Sequence, residues 1–275
     1  MLRRWLTLEE SDTSPYTFRL INVTERAAPD DDIKSFLGQE ILTSYRNLDY
    51  LKSSYRNEPE EKLISYIKDY VLSSNSNQIA KNVGQGDFGE ILAGLIVSYF
   101  LGLAVPIRKL RWKFNNNRST FCTDMIAHNT GKTVTDIYYY EIKSRLRVRK
   151  EKVGSNSNYV AVNAHNSLLK DEQTPTEGIA DFLARYYFEM CDFDESSKYQ
   201  KIVKNPYQYN RNFELFFVIE TRRFITDILD ELENLPPTLK PLRITVVLIN
   251  ELRRLTLETQ QLAINTAINY VYDKS

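Results

Sequence analysis

Apolar residues recur along this chain at two periods. Asp32 to Leu51 and Glu60 to Leu72 carry them three and four apart, the spacing of amphipathic helices, and Thr17 to Val23 reads as a strand. From Asp87 the pattern predicts a helix to Leu101, then strands at 107–114, 120–128 and 136–145. A helix near 176–191, a strand at 213–220, a helix at 222–233 and a strand at 242–249 follow, and a long helix from about Arg253 to Tyr272 closes the chain. The strands Phe213–Glu220 and Leu242–Ile249 are β-branched and almost continuously apolar, as strands covered on both faces are. The expected class is therefore α/β or mixed α+β, a central mixed sheet flanked by helices. The polar run Ser73 to Gln78 marks a boundary, with a mainly helical accessory region over residues 1–80 and the principal domain over 81–275. There is no internal repeat.

Composition narrows the class. Of 275 residues, 42% are hydrophobic and 26% charged, with 9 Gly and 9 Pro, so collagen-like, disordered and disulfide-framework readings fall away. Two cysteines, Cys122 and Cys191, are too few for a zinc cluster and suit a reducing, cytoplasmic setting. The first ten residues reach acidic side chains too early for a signal peptide. Ile91 to Ile107 is uncharged but holds Gly94, Ser98, Gly102 and Pro106; it reads as a buried helix running into a strand, not a membrane span. Lys plus Arg and Asp plus Glu each total 36, so a nucleic-acid partner would have to meet a local basic patch.

Several motifs fail. Gly84-Gln85-Gly86-Asp87-Phe88-Gly89 spells G-x-G-x-x-G, but no strand pattern precedes it, and Asp87 and Glu90 would repel a pyrophosphate. Those two have instead the spacing of a helix N-cap and its third residue. Thr130-Gly131-Lys132-Thr133 resembles the end of a P-loop, yet Ile126 stands where its first glycine belongs. No bound small-molecule nucleotide is expected. There is no G-x-S-x-G, and the two histidines are not at metal spacing. His128 reads as structural, His165 as loop-like, and Tyr207 and Tyr209 as weak base-stacking candidates.

One constellation survives. Glu90 opens an apolar helix, Asp124 lies in Phe121 to Ile126, and Glu141-Ile142-Lys143 follows Tyr138-Tyr139-Tyr140. On a strand Glu141 and Lys143 share a face, and a carboxylate from the neighbouring strand would complete a platform for magnesium. Register decides whether it can. A tight turn at Thr130-Gly131 puts Asp124 opposite Ile137, roughly 13 Å from Glu141. A loop of about six residues centred between Lys132 and Thr133 puts Asp124 opposite Glu141. Downstream, six of the ten residues 143–152 are basic. In extended form Lys143, Arg145, Arg147 and Arg149 project together, a row suited to a phosphate backbone, and Arg108, Lys109, Arg111 and Lys113 add to it from the strand at 107–114.

An acidic residue on a helix, then D, then E-x-K resembles the PD-(D/E)xK nuclease superfamily. More closely, Gly89-Glu90-Ile91-Leu92-Ala93-Gly94, Thr123-Asp124-Met125 and Tyr139-Tyr140-Glu141-Ile142-Lys143-Ser144 are similar to the HamA family, nuclease subunits of Hachiman antiphage defence. Thr123 stands where the superfamily's name has proline. The resemblance implies a restriction-endonuclease-like core and Mg²⁺- or Mn²⁺-dependent cleavage of DNA. Asp124, Glu141 and the Ile142 carbonyl would hold the metal, and Lys143 would orient a water or stabilise the phosphorane. Glu90 would bind the metal through water or position Lys143. It also implies a HamB-type superfamily 2 helicase as partner. The alternatives are a self-contained restriction-type endonuclease and a non-catalytic DNA-binding or assembly module that keeps the fold.

Overall fold

The described residues of the computed structural model are 1–10, 15–74, 77–107, 109–113, 116, 124–145, 151–153, 156–173, 178–235 and 238–274; of 145, 151–153, 156–158 and 171–173 only the backbone is described. The strands are β1 (Leu6–Glu10), β2 (Arg19–Glu25), β3 (Leu103–Ala104), β4 (Met125–Asn129), β5 (Asp136–Arg145), β6 (Glu151–Val153), β7 (Asn156–Asn158), β8 (Asn210–Glu220) and β9 (Leu242–Ile249). The helices are α1 (Leu2–Trp5), α2 (Asp31–Tyr45), α3 (Leu48–Tyr55), α4 (Glu60–Tyr66), α5 (Gln78–Tyr99), α6 (Val160–Gln173), α7 (Gly178–Glu189), α8 (Phe193–Lys204), α9 (Asp227–Glu233) and α10 (Leu252–Val271).

Seven strands form one mixed sheet in the order β1-β2-β9-β8-β5-β4-β3, the α/β architecture expected. β2, β9, β8 and β5 run parallel, while β1 at one edge and β4 and β3 at the other are antiparallel to their neighbours. The short hairpin β6–β7 stands apart from it. Alternation along the strands divides the core in two. Tyr140, Ile142, Phe216 and Val218 pack with α2, α5 and α10; Tyr139, Leu215, Phe217 and Ile219 pack with α6 to α9. The N-terminal strands β1 and β2 extend the sheet beyond β9, and α2 packs on α10.

The structure corrects the sequence reading at several elements. α5 begins nine residues before Asp87, capped by the Asn77 side chain, which accepts from the Ala80 N–H. Asp87 and Glu90 therefore lie inside the helix and cap nothing. Gly84, Gly86 and Gly89 are helical as well, so their N–H groups form no phosphate loop. Gly89 is needed for contact: a Cβ there would lie 2.5 Å from the Ser144 Cβ, so α5 sits hard against β5.

Within the expected strand at 107–114, Lys109–Trp112 form a 3₁₀ turn with Leu110 in the core, while 108 and 114 lie outside the described residues. The helix expected over 32–51 breaks at Asn47, whose side chain caps α3. α6 and α8 were not expected, and α6 makes His165 a buried helical residue, not a loop residue. Among the described residues no helix is long and apolar enough to cross a membrane.

Candidate functional site

The β4–β5 register decides the site. Met125 pairs with Tyr140 and His128 with Ile137, which sets Asp124 across from Glu141. The connection spans residues 130–135, the six-residue loop required for two neighbouring carboxylates. The Asn129 side chain closes it: its carbonyl accepts from the Thr135 and Asp136 N–H groups at 2.8 and 3.1 Å, and its amide donates to the Thr133 carbonyl at 2.9 Å.

β4 begins at Met125, and Asp124 continues the ladder with its side chain. Its Oδ2 accepts the Ile142 N–H at 2.8 Å. N–H and C=O of one strand residue point the same way, so the Ile142 carbonyl also faces Asp124. Glu141 points to the other layer, where Lys143 and the Ser167 hydroxyl of α6 donate to it; it is 5% exposed. Lys143 Nζ lies 3.8 Å from Asp124 Oδ2.

α5 delivers Glu90 from the opposite layer. Between Glu90 and Asp124 stands Lys109, its Nζ 2.9 Å from Asp124 Oδ1 and 3.6 Å from Glu90 Oε2. The result is an alternating row across the end of the sheet: Glu90, Lys109, Asp124, Lys143, Glu141. Burial pushes the Glu90 carboxyl up to about 8; Lys109 pulls against this, and Asp124 and Asp87 add to it. Burial also raises Glu141, with Asp124 adding and Lys143 and Ser167 opposing. Burial works against the Lys109 ammonium, but Glu90 and Asp124 outweigh it and hold its pKa above the ordinary value.

All four expected site residues thus come together. Lys109 was read as part of an outward basic row and belongs here instead. Lys113 is likewise no phosphate contact; its side chain is 3% exposed and pairs with Asp87. Arg111 donates to the Thr43 carbonyl at 2.6 Å. Among the described residues, that half of the row is internal. Arg145 continues β5, with only its backbone described, and Arg147, Arg149, Arg108 and Cys122 lie outside the described residues. His128 is structural as expected, and Tyr207 is exposed.

Asp124, Glu141 and the Ile142 carbonyl offer hard oxygen donors suited to Mg²⁺ or Mn²⁺. Among the described residues no three His, Cys, Asp or Glu side chains enclose a cation by themselves, so the donors fit a metal only as two carboxylates completed by backbone and water.

The family model that matches this chain, over residues 2–258, is HamA. Comparison with curated proteins gives no match.

Proposed function

The chain belongs to the HamA family, whose members are associated with Hachiman antiviral defence, and from that premise we propose that it is a metal-dependent DNA nuclease, the effector of a two-component system with a HamB-type superfamily 2 helicase. The observation that carries this reading is the register that sets Asp124 opposite Glu141, with Lys143 on the Glu141 face.

Asp124, Glu141 and the Ile142 carbonyl would hold Mg²⁺ or Mn²⁺. A bound metal supplies Lewis acidity toward the scissile phosphate and a water of lowered pKa. Asp124 is oriented by the Ile142 N–H and Glu141 by Ser167, so neither carboxylate has to be ordered when substrate arrives. Lys143, in contact with Glu141 and near Asp124, sits where an ammonium would orient the attacking water or offset charge building on the phosphate. Glu90 approaches from α5, linked to Asp124 through Lys109, and would bind the metal through water once Asp124 holds it. Arg145, Arg147 and Arg149 would guide the DNA backbone toward this end of β5.

The test is cleavage of supercoiled and linear DNA with Mg²⁺ or Mn²⁺ against EDTA. Wild type, Glu141→Ala and Lys143→Ala are compared, with DNA binding measured on the same samples and the helicase and ATP added in a second series. Metal-dependent cutting lost in both variants with binding kept supports the reading. Equal cutting by all three removes this site from the account. Silence in both series, with binding indifferent to metal, favours the non-catalytic module. Cutting at fixed sequences without the helicase favours a self-contained restriction-type enzyme.

A further inference from the structure

We infer that Lys109 is a built-in counter-cation that occupies Asp124 and must leave it before a divalent metal can be held, so that the chain keeps its own centre in a metal-excluding state. This deepens the metal-nuclease reading and rests on it.

Asp124 has two carboxylate oxygens, and both are engaged. Oδ2 accepts the Ile142 N–H, a backbone contact that fixes the side chain. Oδ1 is the oxygen left for a metal, and the Lys109 ammonium holds it at 2.9 Å. A cation joining Asp124 there while that contact persists would stand within a few ångströms of the ammonium, and the two like charges would repel across one oxygen with no water between them. Lys143 differs: it bonds to Glu141 and stands 3.8 Å from Asp124, in contact with the row but not seated on Oδ1.

The turn carrying Lys109 is pinned on every side. Leu110 is buried in the core, and Arg111 donates to the Thr43 carbonyl of α2. The Trp112 ring packs edge-on against Phe182 and Tyr186 of α7, and Lys113 pairs with Asp87 of α5. The backbone of residue 109 is thereby set by three helices. Displacement then falls to the Lys109 side chain, whose four-carbon stem can swing without moving the turn.

There is room for that swing. Lys109, Glu90 and Asp124 line a cavity of about 150 Å³ between α2, α5 and β4. Glu40 and Ser44 of α2 line the same cavity, so an ammonium leaving Asp124 enters a space that already holds polar partners.

The test uses the full chain and Mn²⁺ alone, with binding followed by the loss of the free-ion electron paramagnetic resonance signal. Wild type, Asp124→Asn, Glu90→Gln, Lys109→Met and the double variant Glu90→Gln/Lys109→Met are compared. Lys109→Met is expected to bind Mn²⁺ roughly tenfold or more tightly than wild type, and Asp124→Asn to lose binding. Should Lys109→Met fold poorly without metal, the double variant leaves no buried Glu90 carboxyl without its cation, and its comparison with Glu90→Gln carries the same expectation.

The direct readout is the ¹⁵Nζ resonance of Lys109 in the wild type, assigned by its absence in Lys109→Met. Saturating Mg²⁺ should move it or exchange it into water. A resonance indifferent to Mg²⁺, or affinity unchanged or weakened in both comparisons while Asp124→Asn still abolishes binding, overturns the role of Lys109 and leaves the metal site standing. Asp124→Asn binding Mn²⁺ as wild type does overturns the site itself, and this inference with it.

Discussion

The Asp124 carboxylate takes the place of a strand residue beside Ile142, accepting its N–H at 2.8 Å where β4 has not yet begun. One side chain thereby adds a bond to the ladder and anchors the site, and substitution can separate the two roles. Asp124→Ala leaves a backbone N–H without its acceptor at a cost of about 1–3 kcal/mol. Asp124→Asn keeps an acceptor oxygen and should recover most of that stability, yet neither variant should cleave DNA. Urea denaturation alongside the cleavage assay checks this. Equal stability of the two variants would show that the hydrogen bond does not anchor the residue.

The glycines of α5 give a prediction of opposite signs. A Cβ at Gly89 meets the Ser144 Cβ at 2.5 Å, and neither helix nor central strand yields easily. Gly89→Ala should destabilise by about 1–3 kcal/mol despite the better helix former, and should lower cleavage because α5 carries Glu90. At Gly86 an added Cβ has nothing within 4 Å, so Gly86→Ala should stabilise by roughly 0.5–1 kcal/mol. Thermal melts of both variants decide; two shifts of the same sign would mean that α5 does not rest on β5 as described.

The sheet and its register were legible because their signals are local. β8 and β9 read directly from apolar continuity, and the two registers open to Asp124 differed only in loop length. The loop itself was settled by the Asn129 side chain, whose bonds to Thr133, Thr135 and Asp136 replace the tight turn. The start of α5 was hidden for the opposite reason. Gln85 and Asp87 are polar on its inward face, and their partners Ser144 and Lys113 come from distant sequence. Polar residues satisfied only in the fold look like a break in the pattern. α8 escaped likewise, since its buried seam is only Ser196, Tyr199 and Ile202. Lys109 was missed because a lysine between Ile107 and Trp112 reads as the outward residue of a strand, whereas the buried Leu110 turns the chain into a 3₁₀ helix and sends Lys109 inward.

The Asp87–Lys113 pair ties α5 to the turn that presents Lys109. Tyr45 also donates its hydroxyl to Asp87, whose carboxyl burial raises while Lys113 opposes. Lys113→Met should cost about 3–5 kcal/mol, because it strands a buried carboxylate. Adding Asp87→Asn should recover a large part of the loss, since a neutral amide needs no cation. Chemical denaturation of the single and double variants measures the coupling; a double variant no more stable than Lys113→Met alone would show that the pair is not what fixes the turn.

His128 sets a pH dependence whose sign follows from its contacts. The Asn129 carbonyl can only accept, so Nδ1 carries the proton at 2.8 Å from it, and Nε2 accepts from the Tyr199 hydroxyl at 3.0 Å. The neutral ring is fully satisfied; protonating Nε2 would turn the Tyr199 hydroxyl from donor to acceptor and force its hydrogen to find another partner. Burial lowers the pKa of His128, with the Asn129 bond opposing and the Lys198 charge adding to the effect. A base whose folded pKa lies below its unfolded value of about 6.5 contributes stability that is complete above that pH. That stability is lost as pH falls toward the folded pKa, because the unfolded chain takes up the proton first. The urea midpoint of the wild type should therefore drop between pH 7 and pH 5, and the drop should be shallower in His128→Phe, which has no proton to gain. The slopes are compared rather than the midpoints, since the variant also leaves the Tyr199 hydroxyl without its acceptor. Parallel slopes would assign the acid sensitivity to other groups.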